Sequence, residues 1–336
     1  MKKVYDCFQK VIDKDLFYQA YLNSQKGKCS RKIRAIEFSL NWIVNLENLR
    51  KEVENQTYKI SDYLVFKIYE PKERTVEAPH YRDKIVQYCI THVLRDIYEP
   101  VFIHDSYACI RNKGNHLCIR QIENYFRKCN KLYKGGYVLK MDIKKFFPSI
   151  DHQILKDILR KRIKDERMIW ILDLVIDSNN NGLNIGNSTS QIFSNIYLNE
   201  IDHYIKRELK CRYYIRYADD LILFCYDKLS SKWYKNRIKY FLKEKLNLNI
   251  HKVQINTLKY GISMMGFHFK PTYTRFLKKN IIRTRKYDKE KDKQLRNLQL
   301  NNSLAFSMNS MTMFLFGNME GFEYDLKKRK YIFRLK

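Results

Sequence analysis

Tyr213–Tyr226, YYIRYADDLILFCY, is the stretch whose reading decides the fold. Tyr213–Tyr217 and Leu221–Cys225 are aromatic and β-branched runs with Ala218-Asp219-Asp220 between them, so the spacing predicts a β-hairpin with an acidic turn. Two adjacent carboxylates between buried strands are costly unless positive charge lies beside them. A hard divalent cation meets that need, because it takes carboxylate oxygens. A solvated Asp-Asp tip meets it too, since Asp is common in turns, and the hairpin alone leaves both readings open.

A second stretch, Tyr137–Asp151, YVLKMDIKKFFPSID, breaks the tie. An apolar run ends in Asp142-Ile143, and a turn at Pro148 follows. If that strand pairs beside the hairpin, Asp142 and Asp219 converge. Such a pair can hold two divalent ions about 3.5–4 Å apart for in-line phosphoryl transfer. DIKKFF followed by YADD resembles motifs A and C of the reverse transcriptase palm. The resemblance implies an α+β right-hand polymerase with fingers, a palm built on an antiparallel sheet, and a short helical thumb. It implies RNA-directed DNA synthesis with two Mg2+ ions, Mn2+ being a substitute. It assigns metal binding to Asp142, Ile143, Asp219 and Asp220, and catalysis to the three aspartates. The implied layout is N-terminal helices and fingers over 1–94, palm over 95–152, fingers again over 153–190, palm over 191–270, and thumb over 271–336.

Composition agrees. The 336 residues carry 65 Lys+Arg against 36 Asp+Glu, a net charge of +29 that calls for a polyanionic partner. Hydrophobic residues at 45% and aromatics at 14% exclude a disordered basic tail. Membrane-surface binding is the competing reading of the charge. The absence of a long apolar run or signal peptide weighs against it, so no membrane partner and a cytoplasmic location are expected. The eight Cys form no CxxC pair, which argues against zinc and against a disulfide framework.

Along the chain, Phe8–Tyr21 and Ile33–Leu46 recur at helical spacing, with the basic loop Ser24–Lys32 between them. Tyr63–Tyr69 and Arg74–Val76 predict a second hairpin, with Lys72 in its turn. This hairpin resembles reverse transcriptase fingers, where a basic side chain in the return strand grips the incoming triphosphate. Arg74 holds that position, and Lys72 is its neighbour. Arg binds phosphate bidentately, as Lys cannot. Arg82 fits either an internal pair with Asp83 or a nucleic-acid contact. His104–His116 is rich in turn formers and donors, and similar segments in bacterial reverse transcriptases imply a template cradle with charge from Arg111 and Lys113.

Phe147, five residues beyond Asp142, lies where the resemblance places a steric gate against a 2′-hydroxyl. Phe146 is then a core residue, the two alternating faces on an extended segment. Leu183–Gln191, LNIGNSTSQ, opens a helix and offers cap oxygens from Asn187 to Ser190. In most relatives the matching motif starts Gln-Gly and ends Ser-Pro. Ile185-Gly186 and Ser190-Gln191 instead resemble the reverse transcriptases of diversity-generating retroelements. This implies nucleotide binding by Ile185, Gly186 and Gln191, and errors concentrated opposite template adenine, because an apolar Ile185 removes a polar check. It also implies a template RNA, a primer, cDNA, dNTPs and a small basic accessory protein forming an oligomeric ring. A reverse transcriptase of antiphage defence or of retron type is one alternative, and a non-catalytic nucleic-acid-binding protein is another. Lys252 matches a motif D lysine proposed to protonate pyrophosphate. Met264–Phe269 resembles the primer-grip hairpin, with Met265 and Gly266 at its turn.

Overall fold

The computed structural model describes residues 3–26, 33–69, 73–179, 181–278, 322–325 and 330–333. Lys72, most of the basic loop 24–32 and most of the expected thumb lie outside these residues. In chain order the elements are α1 (Phe8–Val11), α2 (Lys14–Ser24), α3 (Ile33–Leu40), α4 (Trp42–Glu54), β1 (Leu64–Ile68), β2 (Arg74–Ala78), α5 (Tyr81–Tyr98), α6 (Asn115–Tyr133) and β3 (Tyr137–Ile143). There follow α7 (His152–Arg162), α8 (Glu166–Asp177), α9 (Ser188–His203), β4 (Tyr214–Tyr217), β5 (Asp220–Cys225), α10 (Lys228–Leu246), β6 (Ile250–Thr257), β7 (Ile262–Met264), β8 (Phe267–Phe269), β9 (Thr274–Phe276), β10 (Phe322–Asp325) and β11 (Lys330–Phe333). They divide into two compact units: 1–103 with 143–204 and 240–249, and 104–142 with 205–239 and 250–336.

The first unit is mainly helical. α5 packs against α9, and Ile85, Ile90, Leu94, Phe193 and Tyr197 are all buried. Asp151 caps α7 by accepting from the Ile154 amide at 3.1 Å. That helix stops at Arg162, and Asp165 caps α8 through the Arg167 and Met168 amides. In α3 the apolar spacing predicts the helix but not its buried face. Ile33, Ile36 and Leu40 are exposed, as is Ile43 of α4, while Ala35, Leu46, Leu49 and Val53 are buried. β1 and β2 pair antiparallel from Leu64↔Ala78 to Ile68↔Arg74, and every residue of β1 is exposed.

The second unit is built on a four-stranded sheet ordered β4-β5-β3-β6. β5 pairs antiparallel with both β3 and β4. Strand alternation puts Val138, Ile215, Ile222 and Phe224 on one face, where they join Ile122, Phe126 and Cys129 of α6 in one core. Phe224 meets Phe126 edge-on at 5.1 Å between ring centres. Residues of the opposite face, Leu139, Met141, Leu221, Leu223 and Tyr214, are buried as well. A three-stranded sheet, β7-β8-β9, adds Ile262, Met264, Phe267 and Phe269 to the same core. β7 and β8 are joined by Met265-Gly266, both at positive φ (48° and 86°), as a type I′ hairpin turn requires. Six of the described cysteines are buried and Cys109 is exposed, in keeping with small apolar fillers rather than metal ligands.

Candidate active site

The acidic turn is tighter than its sequence suggests. Tyr217 pairs with Asp220, so the loop between β4 and β5 is only Ala218-Asp219. Ala218 takes φ +52°, as the first position of a primed hairpin turn does. An alanine held there costs about 1 kcal/mol, so the surroundings must impose it. Arg216 contributes to that. Its side chain is completely buried, and Nη1 donates to the Ala218 carbonyl at 3.2 Å. The Arg216 main chain is fixed too, with its amide donating to Asp105 O at 2.9 Å and its carbonyl accepting from the Tyr107 amide at 3.1 Å.

Asp220 therefore belongs to β5, not to the turn, and its cross-strand partner on β3 is Asp142. Like charges directly opposite each other are unfavourable on a sheet. Lys140 relieves this. It lies two residues before Asp142 on the same face, diagonal to Asp220, and its Nζ sits 3.0 Å from Asp220 Oδ1. The relief is partial. Burial, with further contributions from Asp220 and Asp142, pushes the Asp219 carboxyl up to about 6. Burial likewise raises Asp220, against the pull of Lys140.

Three half-buried carboxylates with one nearby ammonium are a cation-seeking arrangement. The donors are hard oxygens, which suit a divalent ion that takes one or two protein carboxylates and completes its shell with phosphate and water. Among the described residues no three Asp, Glu, His or Cys side chains form a closed cage for a metal. Of the three, Asp220 already has Lys140 as its partner.

The segment from His104 to Asn115 is docked beside this hairpin. Asp105, 5% exposed, accepts from Lys206 Nζ at 3.0 Å, Tyr125 OH at 2.9 Å and Gln121 Nε2 at 3.2 Å. Tyr217 OH donates to Asn115 Oδ1. Lys113 Nζ donates to the carbonyls of His104 (2.6 Å) and Ser106 (3.1 Å), so its ammonium closes its own loop, while Arg111 is exposed. Lys252 is exposed on β6, a neighbour of β3 in the sheet. Met265 and Gly266 form the β7–β8 turn.

The remaining predicted residues belong to the first unit, and the structure gathers several of them. Arg74 is exposed at the start of β2. Gly186 presses on the same strand: a Cβ there would stand 2.1 Å from Glu77 O, so only glycine fits. Ile185 beside it is 43% exposed, and Gln191 is exposed on α9. The loop is held by Ser190 Oγ donating to Asn184 O at 2.6 Å and Asn187 Nδ2 donating to Tyr63 OH at 3.0 Å. The expected side-chain cap of α9 is absent, and Gln87 of α5 accepts from the Ser188 amide instead, at 3.3 Å. The Phe147 carbonyl accepts from the Leu183 amide at 2.9 Å, which sets Phe147 against this loop. Phe146 is buried and Phe147 half-buried, as expected, but by a different route. A turn with Lys145 at φ 44° ends at Phe146 and a short 3-10 helix begins at Phe147, so the two do not alternate along an extended segment. Arg82 pairs with Glu52 and lies over the Tyr58 ring, while Asp83 accepts from Tyr58 OH at 2.6 Å, so neither uses the other. Ile143, the last residue of β3, is 2% exposed.

Lys140, Arg216, Asp105 and Gln87 are the site residues that motif reading passes over. Lys140 had a signal: a charge at the same strand parity as Val138 and Asp142. Arg216 had one too, a charge inside an otherwise apolar strand.

Carboxylates at the end of a buried antiparallel sheet, in a chain of net charge +29, are the kind of arrangement that phosphoryl transfer on nucleic acid uses. The chain belongs to the reverse transcriptase (RNA-dependent DNA polymerase) family, whose profile matches residues 68–269. It is 26% identical to the COX1/OXI3 intron 2 protein of Saccharomyces cerevisiae, covering 75% of this chain and 37% of that one. To the group II intron-encoded protein LtrA of Lactococcus lactis it is 25% identical over 59% of this chain and 35% of that protein. To the retron Ec73 reverse transcriptase of Escherichia coli it is 27% identical over 54% and 60% respectively. The chain thus spans about a third to three fifths of the length of these relatives. Among solved structures, telomerase from Candida albicans matches with a TM-score of 0.50 at 12% identity, over 66% of this chain and 47% of that one. The fold is the reverse transcriptase fold, in the α+β right-hand polymerase class. No helix among the described residues is long and apolar enough to cross a membrane.

Proposed function

We propose that this chain copies a template RNA into cDNA for a diversity-generating retroelement, with errors concentrated opposite template adenines. The observation that carries the finer assignment is Ile185: an exposed aliphatic side chain next to Gly186, whose backbone abuts β2. At that place a hydrogen-bonding residue would check the templating pair, and an apolar one cannot. In this reading the protein works in the cytoplasm of a bacterial or phage-infected cell, with a small basic accessory protein that forms an oligomeric ring.

Asp142 and Asp219 would hold two Mg2+ ions, assisted by the main chain at Ile143, and Asp220 keeps the pair in register through its bond to Lys140. The ions, when bound, neutralise charge on the nucleophilic and leaving oxygens. Arg74, with Lys72 two residues before it in the sequence, binds the triphosphate, and Phe147 excludes the 2′-hydroxyl. Gln191 lines the nucleotide side of α9. Lys252 gives a proton to the departing pyrophosphate, which lowers the charge that builds up there. Arg111 faces the template from the loop that Lys113 closes, and Met265-Gly266 supports the primer end. Residues 271–336 act as the thumb.

The test is cDNA synthesis on a defined RNA with Mg2+ and dNTPs, with product sequencing, for wild type and Ile185→Gln. Substitutions clustered opposite adenine in wild type, falling severalfold in Ile185→Gln, support the retroelement. Faithful products from wild type refute the mutagenic role and favour a retron-like or antiphage-defence enzyme, a reading for which the likeness to the retron Ec73 enzyme speaks.

A further inference from the structure

Lys140 does more than neutralise Asp220. The same Nζ that lies 3.0 Å from Asp220 Oδ1 also donates to the carbonyl of Ser263 at 3.3 Å. Ser263 is the middle residue of β7, paired across the hairpin with His268 and one residue from the Met264↔Phe267 pair that closes the Met265-Gly266 turn. Its hydroxyl bonds His268 Nδ1 at 2.9 Å, and His268 Nε2 meets Tyr260 O at 3.0 Å. The ammonium is therefore a joint between two hairpins. One carries the catalytic carboxylates. The other carries the turn that, on the reading above, supports the primer end.

We propose that Lys140 is a positioning residue, a strut that keeps the Asp219-Asp220 hairpin and the Met265-Gly266 hairpin in one register, so that the primer terminus meets the carboxylates at a fixed distance. Three physical points support it. An ammonium has three donors, enough for both partners at once. It is only 16% exposed, so the bond to a carboxylate is weakly screened. Ser263 contributes its main-chain carbonyl, so the strut grips the strand itself and not a mobile side chain. A misplacement of about 1 Å between nucleophile and catalytic groups costs on the order of a hundredfold in rate, so a joint at this place has leverage. A plain counter-ion would have needed only Asp220.

The inference rests on the primer reading of the β7–β8 turn for its consequence, but not for its geometry. The test therefore has two readouts. Amide hydrogen exchange over 262–269 is followed in wild type, Lys140→Met and Lys140→Arg. Primer–template dissociation constants and single-turnover nucleotide addition are measured on the same proteins and on Met265→Ala with its Lys140→Met double variant. The strut predicts faster exchange across β7–β8 in Lys140→Met, about tenfold slower addition at an unchanged dNTP KM, and recovery to within about threefold in Lys140→Arg. It also predicts that Lys140→Met and Met265→Ala weaken primer binding non-additively. Exchange over 262–269 that is unchanged in Lys140→Met overturns the strut and leaves Lys140 a counter-ion. Faster exchange with Met265→Ala binding primer like wild type keeps the strut and refutes the primer reading of the turn.

Discussion

Two hairpins carry the acidic and basic groups on which the proposed function rests, and they are built in opposite ways. β4–β5 is buried along almost its whole length, and its turn is held by a completely buried arginine. β1–β2 is a bare two-stranded ribbon with all of β1 exposed. The difference follows from what each must hold. Carboxylates that bind a cation act through position and through a low local dielectric, so they need a rigid, dry scaffold. An arginine that binds a flexible triphosphate acts through charge and a long side chain, and an exposed strand suffices. On the proposed function, burial goes with the chemistry and exposure with the substrate.

The strongest way to break this contrast is at the carboxylates. Asp142→Asn and Asp219→Asn are each expected to lower cDNA synthesis by about a thousandfold or more, as removal of a main electrostatic element of catalysis does. A primer-extension assay on a preformed RNA–DNA duplex measures it. Residual activity within tenfold of wild type would mean that the hairpin is not the catalytic one.

The scaffold comes next. Arg216→Met should destabilise the protein by about 2–4 kcal/mol, because it removes a buried, hydrogen-bonded guanidinium. Val65→Ala on β1 should stay within about 0.5 kcal/mol, since that side chain is 59% exposed. Denaturant unfolding of the two variants compares them directly. Equal losses would erase the distinction between a supported and an unsupported hairpin.

Both hairpins and both carboxylate positions were legible in the sequence, because a run of aromatic and β-branched residues broken by an acidic pair has few other solutions. The placement of the two hairpin aspartates was not. Strand register decides it, and a single residue of register separates Asp220 in the turn from Asp220 opposite Asp142. The covered side of α3 was not legible for a related reason: periodicity shows that a helix has two faces, not which one is covered. Gln87 capping α9 from 101 residues away is invisible to any local pattern. Lys140 and Arg216 were passed over because a charge in a strand reads as a surface residue until its neighbours are placed.

A smaller effect is expected at the exposed hairpin. Arg74→Ala should raise the dNTP KM about ten- to hundredfold through loss of a charge-assisted phosphate contact, with an unchanged melting temperature. Arg74→Lys should recover only part of it, because the ammonium loses the bidentate geometry. A fall in melting temperature in Arg74→Ala would instead give Arg74 a structural place in β2.

The smallest effect tests the electrostatic cost of the buried hairpin in the metal-free protein. Burial and the neighbouring carboxylates raise Asp219 from the ordinary 3.8 to about 6 in the folded chain. Between those values the folded chain keeps a proton that the unfolded chain has released, so stability falls as pH rises through the window. Above it the ionised Asp219 is a standing cost of about 1–2 kcal/mol, reduced from the full shift because the side chain is only half-buried. Asp219→Asn should therefore be more stable than wild type by that amount at pH 7.5, and the advantage should shrink toward zero near pH 4, in chelator-treated protein. The same comparison with saturating divalent ion should reverse at pH 7.5, because only the ionised wild-type carboxylate gains a ligand bond. An advantage for Asp219→Asn that is independent of pH would show that the carboxylate is not strained by its neighbours, and that the buried hairpin carries its charges as easily as the exposed one.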